Sequence, residues 1–232
     1  MTAGSAVAIP NLQLDISGGG YDTTTDTIVA RSNVFTLYAL LEASCRTSLN
    51  ETYYISAALT PKTRTTAQAG SFSFNGQTVH ATTDMVYGVP PLESNLSFDA
   101  GDLSKHDVYE TYFTEFSFMF DPTLKTAAYN TERRAMSGAA MPTSGSGVYL
   151  QAFAVDLSSL ADGYGIHFDL YTESARSKRC ITDIDVDEFA PFSHDAEGTR
   201  QEPAPVPEPG TMMLLGAGFL GLAIYGKRRK NS

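Results

Sequence analysis

The chain of 232 residues has no tryptophan, only two cysteines, and just 18% charged residues. Cys45 and Cys180 allow a single bridge. In an oxidising compartment it would close a loop of about 135 residues and add about 4–5 kcal/mol by chain entropy. Two free thiols are the other reading, and with Arg46 and Arg179 beside them they could be reactive. Cations are scarce, 16 Lys and Arg against 26 Asp and Glu, for a net charge of −10. Without the four basic residues near the C-terminus the balance is 12 against 26, or −14. Such a surface repels phosphate backbones, so no nucleic-acid partner is expected, while divalent cations are well tolerated. No G-x-S-x-G elbow, phosphate-binding loop or dinucleotide fingerprint is present. Internal repeats and convincing amphipathic helices are missing too.

Thr, Ser, Gly, Tyr and Phe are plentiful instead, with 13 Phe and 12 Tyr, the usage of an extracellular β-rich domain. Leu12, Leu14 and Ile16 alternate with Gln13 and Asp15, a period of two that predicts a half-buried first strand before the glycines at 18–20. Ile28–Ala30, Val34–Leu41 and Thr52–Leu59 read as further strands. Asn75-Gly76 separates two alternating runs; both residues accept positive φ in a type I′ turn, so a hairpin is expected. Val108–Phe120 carries Phe116, Phe118 and Phe120 on one face and reads as a core strand, with a sugar-stacking platform as the other reading. Residues 122–147 read as a long exposed loop. Val148–Leu157, Gly165–Thr172 and Ile181–Val186 follow as strands. The expected fold class is all-β: an antiparallel β-sandwich of jelly-roll type over residues 9–192, then a flexible proline-rich linker over 193–206.

Candidate chemistry is sparse. Asp183, Asp185 and Asp187, with Glu188 beside them, would align three carboxylates about 6–7 Å apart on one strand face. Such oxygen clusters suit Ca²⁺, although the EF-hand pattern is absent; the other reading is a solvated edge strand. Asp15, Asp22 and Asp26 could form a second oxygen-rich loop or an ordinary turn. His194-Asp195 with Glu197 suggests a metal or acid–base pair, but beside the expected linker it lacks a rigid frame. His80, His106 and His167 are isolated, without zinc-ligand spacing. Glu110 and Glu115, five apart, face opposite sides of a strand and cannot flank one bond as a hydrolase pair does. A non-enzymatic body is expected, with Ca²⁺ the one cofactor the acidic clusters suggest.

The C-terminal stretch has a fixed order. A rigid turn, Pro207-Glu208-Pro209, precedes the uncharged run Gly210–Gly226, and Lys227, Arg228, Arg229 and Lys230 follow. As a helix the run would reach roughly 25 Å, near the lower limit for a bilayer. The basic residues would keep their end cytoplasmic and leave everything before it outside. One transmembrane helix over 210–226 is therefore expected. This order resembles the PEP-CTERM sorting signal of Gram-negative bacteria. The resemblance implies an exosortase that recognises Pro207–Pro209 and removes or replaces the tail, the membrane as a second partner, and a location in the cell envelope. At the other end, Ala6-x-Ala8 resembles a signal-peptide cleavage site, with residues 1–8 as a remnant and the mature chain starting near Ile9; an ordinary disordered terminus is the alternative.

Within the body, Leu12–Gly19 with Phe35–Ala39, and the later His167–Tyr171 and Ala190–Ala196, are similar to the choice-of-anchor N family of exported bacterial domains. That similarity implies location and no activity. The combined expectation is a non-enzymatic cell-surface or extracellular-matrix protein, sorted by an exosortase and associated with exopolysaccharide or biofilm. The alternative is a calcium-dependent, lectin-like carbohydrate-binding module, which would gather an acidic cluster and exposed aromatics in one concave site.

Overall fold

The structure, a computed structural model, describes residues 9–44, 47–66, 69–92, 101–104, 106–178, 181–202 and Phe219, with backbone alone at 176–178 and 181–183. The chain divides into residues 1–201 and residues 202–232. The first unit holds, in order, β1 (Leu12–Ile16), β2 (Gly20–Asp22), β3 (Thr27–Val29), β4 (Val34–Glu42), β5 (Tyr53–Thr60), β6 (Ser71–Phe74) and β7 (Gln77–His80). There follow β8 (Val86–Gly88), β9 (Thr111–Phe118), β10 (Lys125–Thr126), α1 (Thr131–Ser137), β11 (Val148–Asp156), β12 (Gly165–Lys178), β13 (Ile181–Phe189) and β14 (Ala196–Thr199).

The strands form two sheets. One has the order β1-β4-β11-β6-β7 with β10 beside β11; the larger has β2-β3-β14-β12-β5-β9-β8 with β13 beside β12. β6 and β7 meet at Asn75-Gly76, both at positive φ (49° and 84°), the backbone that a two-residue turn between twisted strands needs. The apolar faces of the two sheets meet around Phe74, whose ring stacks on Phe153 of its own sheet at 5.1 Å and on Phe116 of the other at 4.1 Å. Phe35 of β4 and Phe168 of β12 cross the same interface edge to face.

Alternation along β12 decides where the polar chemistry goes. Ile166, Phe168 and Leu170 belong to this main core, so His167, Asp169 and Tyr171 point to the opposite face. That face is covered as well. Val89, Leu103 and Tyr109 pack with Ala58, Phe113 and Tyr171 into a second, smaller apolar cluster. His167 and Asp169 are thereby sealed between the sheet and its overlay.

The structure corrects the expected fold class. It is mostly β-sheet with one short helix, and β14 runs parallel to β3. The helix lies in the stretch read as exposed loop. Asn130 caps its start, accepting from Arg133 N at 2.9 Å, and Gly138 at φ 66° ends it. Seven residues are too few to show a helical period, and the helix is held by burying Arg134 and Ala135 rather than by an apolar stripe. The expected transmembrane helix is corrected too: no helix among the described residues is long and apolar enough to cross a membrane. The run 210–226 itself, Phe219 apart, lies outside the described residues. The expected linker 193–206 is corrected over its first half, where a 3₁₀ turn (Phe192–His194) and β14 form part of the body.

Candidate metal centre

His167 and Asp169 lie two residues apart on β12 and so project to the same side. β14 pairs with β12 so that His167 lies opposite Glu197, which brings Asp195, just ahead of β14, alongside. His106 arrives from the segment before β9. His106 Nε2 lies 3.0 Å from His167 Nε2, 3.2 Å from Asp169 Oδ1 and 3.6 Å from Asp195 Oδ2. His167 Nε2 is 3.4 Å and 3.9 Å from the same two oxygens. All four donor atoms fall within 4.8 Å of one another. His167, Asp169 and Asp195 are buried, whereas the His106 side chain is 11% exposed and stacks on Phe192 at 4.1 Å.

The outer atoms of the cluster are held in turn. Ser104 O accepts from His106 Nδ1 at 2.7 Å, which turns Nε2 of the ring toward the cluster. Asp169 Oδ2 accepts from Ser56 Oγ at 2.8 Å and Tyr109 OH at 2.5 Å, which leaves Oδ1 for the cluster. His167 Nδ1 faces Glu197 Oε2 at 3.8 Å, too far for a hydrogen bond. Asp195 differs, because neither of its buried oxygens finds a hydrogen-bond donor among the described residues.

Charge is therefore concentrated in a dry place. Burial disfavours the His167 cation, but Asp169, Glu197 and Asp195 outweigh it and push its pKa up to about 10. Burial also opposes the Asp169 anion, yet His167 and His106 hold its carboxyl well below the usual range. Burial, with Asp169 adding to it, raises Asp195 far above that range. The cluster can hold excess protons or a cation, and a divalent ion would invert this proton balance. Beside His106 a cleft of about 570 Å³ opens, lined among others by Asp26, Thr60, Lys62, Phe192 and Glu197.

Most residues singled out in the sequence lie elsewhere. Asp185 and Asp187 sit on β13 and join no metal-type cluster among the described residues; the Asp183 side chain lies outside them. Asp15 is buried against Arg134, while Asp22 accepts from Thr24 N at 2.8 Å in an ordinary turn. His80 pairs with Asp84 at 2.8 Å. Of the trio His194, Asp195 and Glu197, only the last two reach the cluster; His194 Nε2 meets Asn130 Nδ2 at 2.9 Å. Cys45, Cys180, Pro207–Pro209 and Lys227–Lys230 lie outside the described residues. Spacing alone could not find the centre, because its donors come from three separate stretches. The usable signals are Asp195 with Glu197, discounted beside the expected linker, and His167-x-Asp169, two donors on one strand face.

Comparison with known proteins adds little to the body. No curated protein matches the chain, and the similarity to the choice-of-anchor N family is not supported. Among solved structures, ACE19, the collagen-binding subdomain of the Enterococcus faecalis surface protein ACE, covers 84% of this chain and 99% of its own at 7% identity and a TM-score of 0.25. A likeness that remote carries no argument. Residues 205–230 match the PEP-CTERM protein-sorting motif, which implies an exosortase as processing partner and a secreted, envelope-associated protein.

Proposed function

We propose that the chain is an exported, envelope-associated protein, presented to an exosortase through Pro207, Glu208 and Pro209, whose body serves as a non-enzymatic structural domain at the cell surface or in the extracellular matrix. The observation that carries this reading is the sorting motif at 205–230. A proline after Glu208 disfavours helical backbone there, which would set the motif apart as a handle for a recognising enzyme. The non-enzymatic reading is supported by the state of the carboxylates. Asp169 and Asp195 are buried beneath the overlay. Glu110 pairs with Arg64 at 3.3 Å, and Glu115 accepts from Leu92 N at 2.8 Å and from Tyr171. None of these forms an open pair flanking a substrate bond.

The test is intact mass of the chain recovered from envelope and medium of an exosortase-bearing host. The wild type should lose its C-terminal stretch, and Glu208→Ala should remain at full mass. The same size change in both would overturn the sorting role. Turnover of glycoside, ester or peptide substrates by the purified body, lost in His106→Ala, would overturn the non-enzymatic reading.

A further inference from the structure

We propose that His106, His167, Asp169 and Asp195 form a closed four-ligand site for one zinc-class divalent ion, a structural centre that fastens residues 101–110 and the approach to β14 onto β12. The first argument is convergence. Nδ1–H of His106 is committed to Ser104 O, so its Nε2 faces His167 Nε2, Asp169 Oδ1 and Asp195 Oδ2, and all four atoms lie within 4.8 Å of one another. A divalent ion at their centre would take the place of the protons that otherwise hold these buried groups together. The second argument is Asp195 itself, 1% exposed and unpartnered at both oxygens, with Oδ2 turned toward the two imidazoles.

Geometry selects the ion. A tetrahedron with metal–ligand bonds of about 2.0–2.1 Å has edges of about 3.3–3.4 Å; five of the six separations, 3.0 to 3.9 Å, bracket that value, and the sixth, between the two carboxylates, is within 4.8 Å. Ca²⁺ calls for six to eight oxygen ligands at longer range, so two imidazole nitrogens argue against it. Without a thiolate or thioether the site does not suit Cu(I). Two carboxylates neutralise a dication, which makes the filled site electrically balanced in its dry setting. The outer shell is that of a metal centre as well: a carbonyl and a carboxylate behind the imidazoles, and two hydroxyls steadying Asp169. Four protein ligands leave no open position, the mark of a structural rather than a catalytic ion.

The full chain, stripped with a chelator and dialysed, is titrated with Zn²⁺ and separately with Co²⁺. One equivalent of Zn²⁺ per chain is expected, with a Co²⁺ spectrum of tetrahedral intensity. Asp195→Asn, isosteric with the wild type, and His106→Ala, at the edge of the overlay, should each weaken binding more than about 100-fold. Asp187→Asn on β13 should bind as the wild type does. Far-UV circular dichroism of the stripped variants separates lost ligation from lost folding. No uptake by the wild type, an octahedral Co²⁺ spectrum, or undiminished affinity in Asp195→Asn would each overturn the proposal.

Discussion

Replacing Arg134 by Met should cost about 3–5 kcal/mol, because it strands a buried carboxylate. Arg134 is 6% exposed and Asp15 is fully buried. The guanidinium donates from Nε to Asp15 Oδ2 at 3.0 Å, from Nη2 to Oδ1, and from Nη1 to Gly19 O at 3.1 Å. In the variant, Asp15 keeps Ile16 N at 2.7 Å and Tyr129 OH at 2.9 Å but has no countercharge. At about 2–4 °C per kcal/mol for a domain of this size, Tm should fall by roughly 6–20 °C. The loss should depend on pH. Burial already holds the Asp15 carboxyl above its usual pKa, with Arg134 pulling the other way, and removing Arg134 raises it further. A carboxyl whose folded pKa exceeds its unfolded one destabilises the fold above the unfolded value, about 4. The penalty should thus be full near neutrality and shrink as the pH falls toward about 4. Urea midpoints at both pH values measure it, and Asp15→Asn added to the variant should recover at least half. A cost below about 1 kcal/mol, or one insensitive to pH, would refute the account of how α1 is tied to β1.

Gly70→Ala should be far worse than Gly76→Ala, although both glycines sit at φ 84°. A Cβ at 70 would meet Ser159 O at 2.3 Å and Ala161 N at 2.7 Å, whereas at 76 nothing lies within 4 Å. Chemical denaturation should show about 1 kcal/mol for the open site, from left-handed strain alone, and several times that for the crowded one. Phe74→Ala, at the meeting point of the two sheets, should cost about 3–5 kcal/mol in the same assay. Tyr109→Phe removes the 2.5 Å hydrogen bond to Asp169; Zn²⁺ affinity should fall about 10–100-fold by competition titration while the far-UV spectrum is unchanged.

Local rules made some of this structure legible. The strand at Leu12–Ile16 and the Asn75-Gly76 turn are properties of a few adjacent residues and appear where such properties place them, although β1 is buried on both faces, with Gln13 and Asp15 covered as well as the apolar side. The aromatic run around Phe116 and Phe118 likewise packs inward against Phe74 and Phe153. What escaped depends on partners remote in sequence. α1 exists because Arg134 reaches Asp15 across more than a hundred residues, and no window of sequence contains both. β14 reads as a polar spacer, AEGT, until β3 and β12 flank it. The His–Asp centre is the extreme case. His106 carries no signal of its own and Asp195 only that of the acidic pair beside an expected linker; the pairing of β14 with β12 and the overlay beyond β8 bring them to His167 and Asp169.

That dependence has a dynamic consequence. Residues 101–104 and 106–110 belong to no strand; the small cluster around Leu103 and Tyr109, the hydrogen bonds of Tyr109 OH to Asp169 at 2.5 Å and of Val186 N to Asp102 at 3.3 Å, and His106 tie them to the large sheet. Phe192, in the 3₁₀ turn ahead of β14, stacks on His106 at 4.1 Å and so would loosen with it. β1, β4 and β11 sit in the other sheet, joined by continuous ladders. Local opening is governed by such differences in local contacts and hydrogen bonding. Chelation should therefore speed amide exchange at 101–110 and 190–196 by at least about tenfold, while β1, β4 and β11 keep their protection. Hydrogen-exchange mass spectrometry on Zn²⁺-loaded and stripped chain reads this directly. Equal acceleration in both sheets would mean that the ion supports the fold globally; no change at 101–110 would mean that the overlay does not depend on it. Either result would end the case for a local fastening.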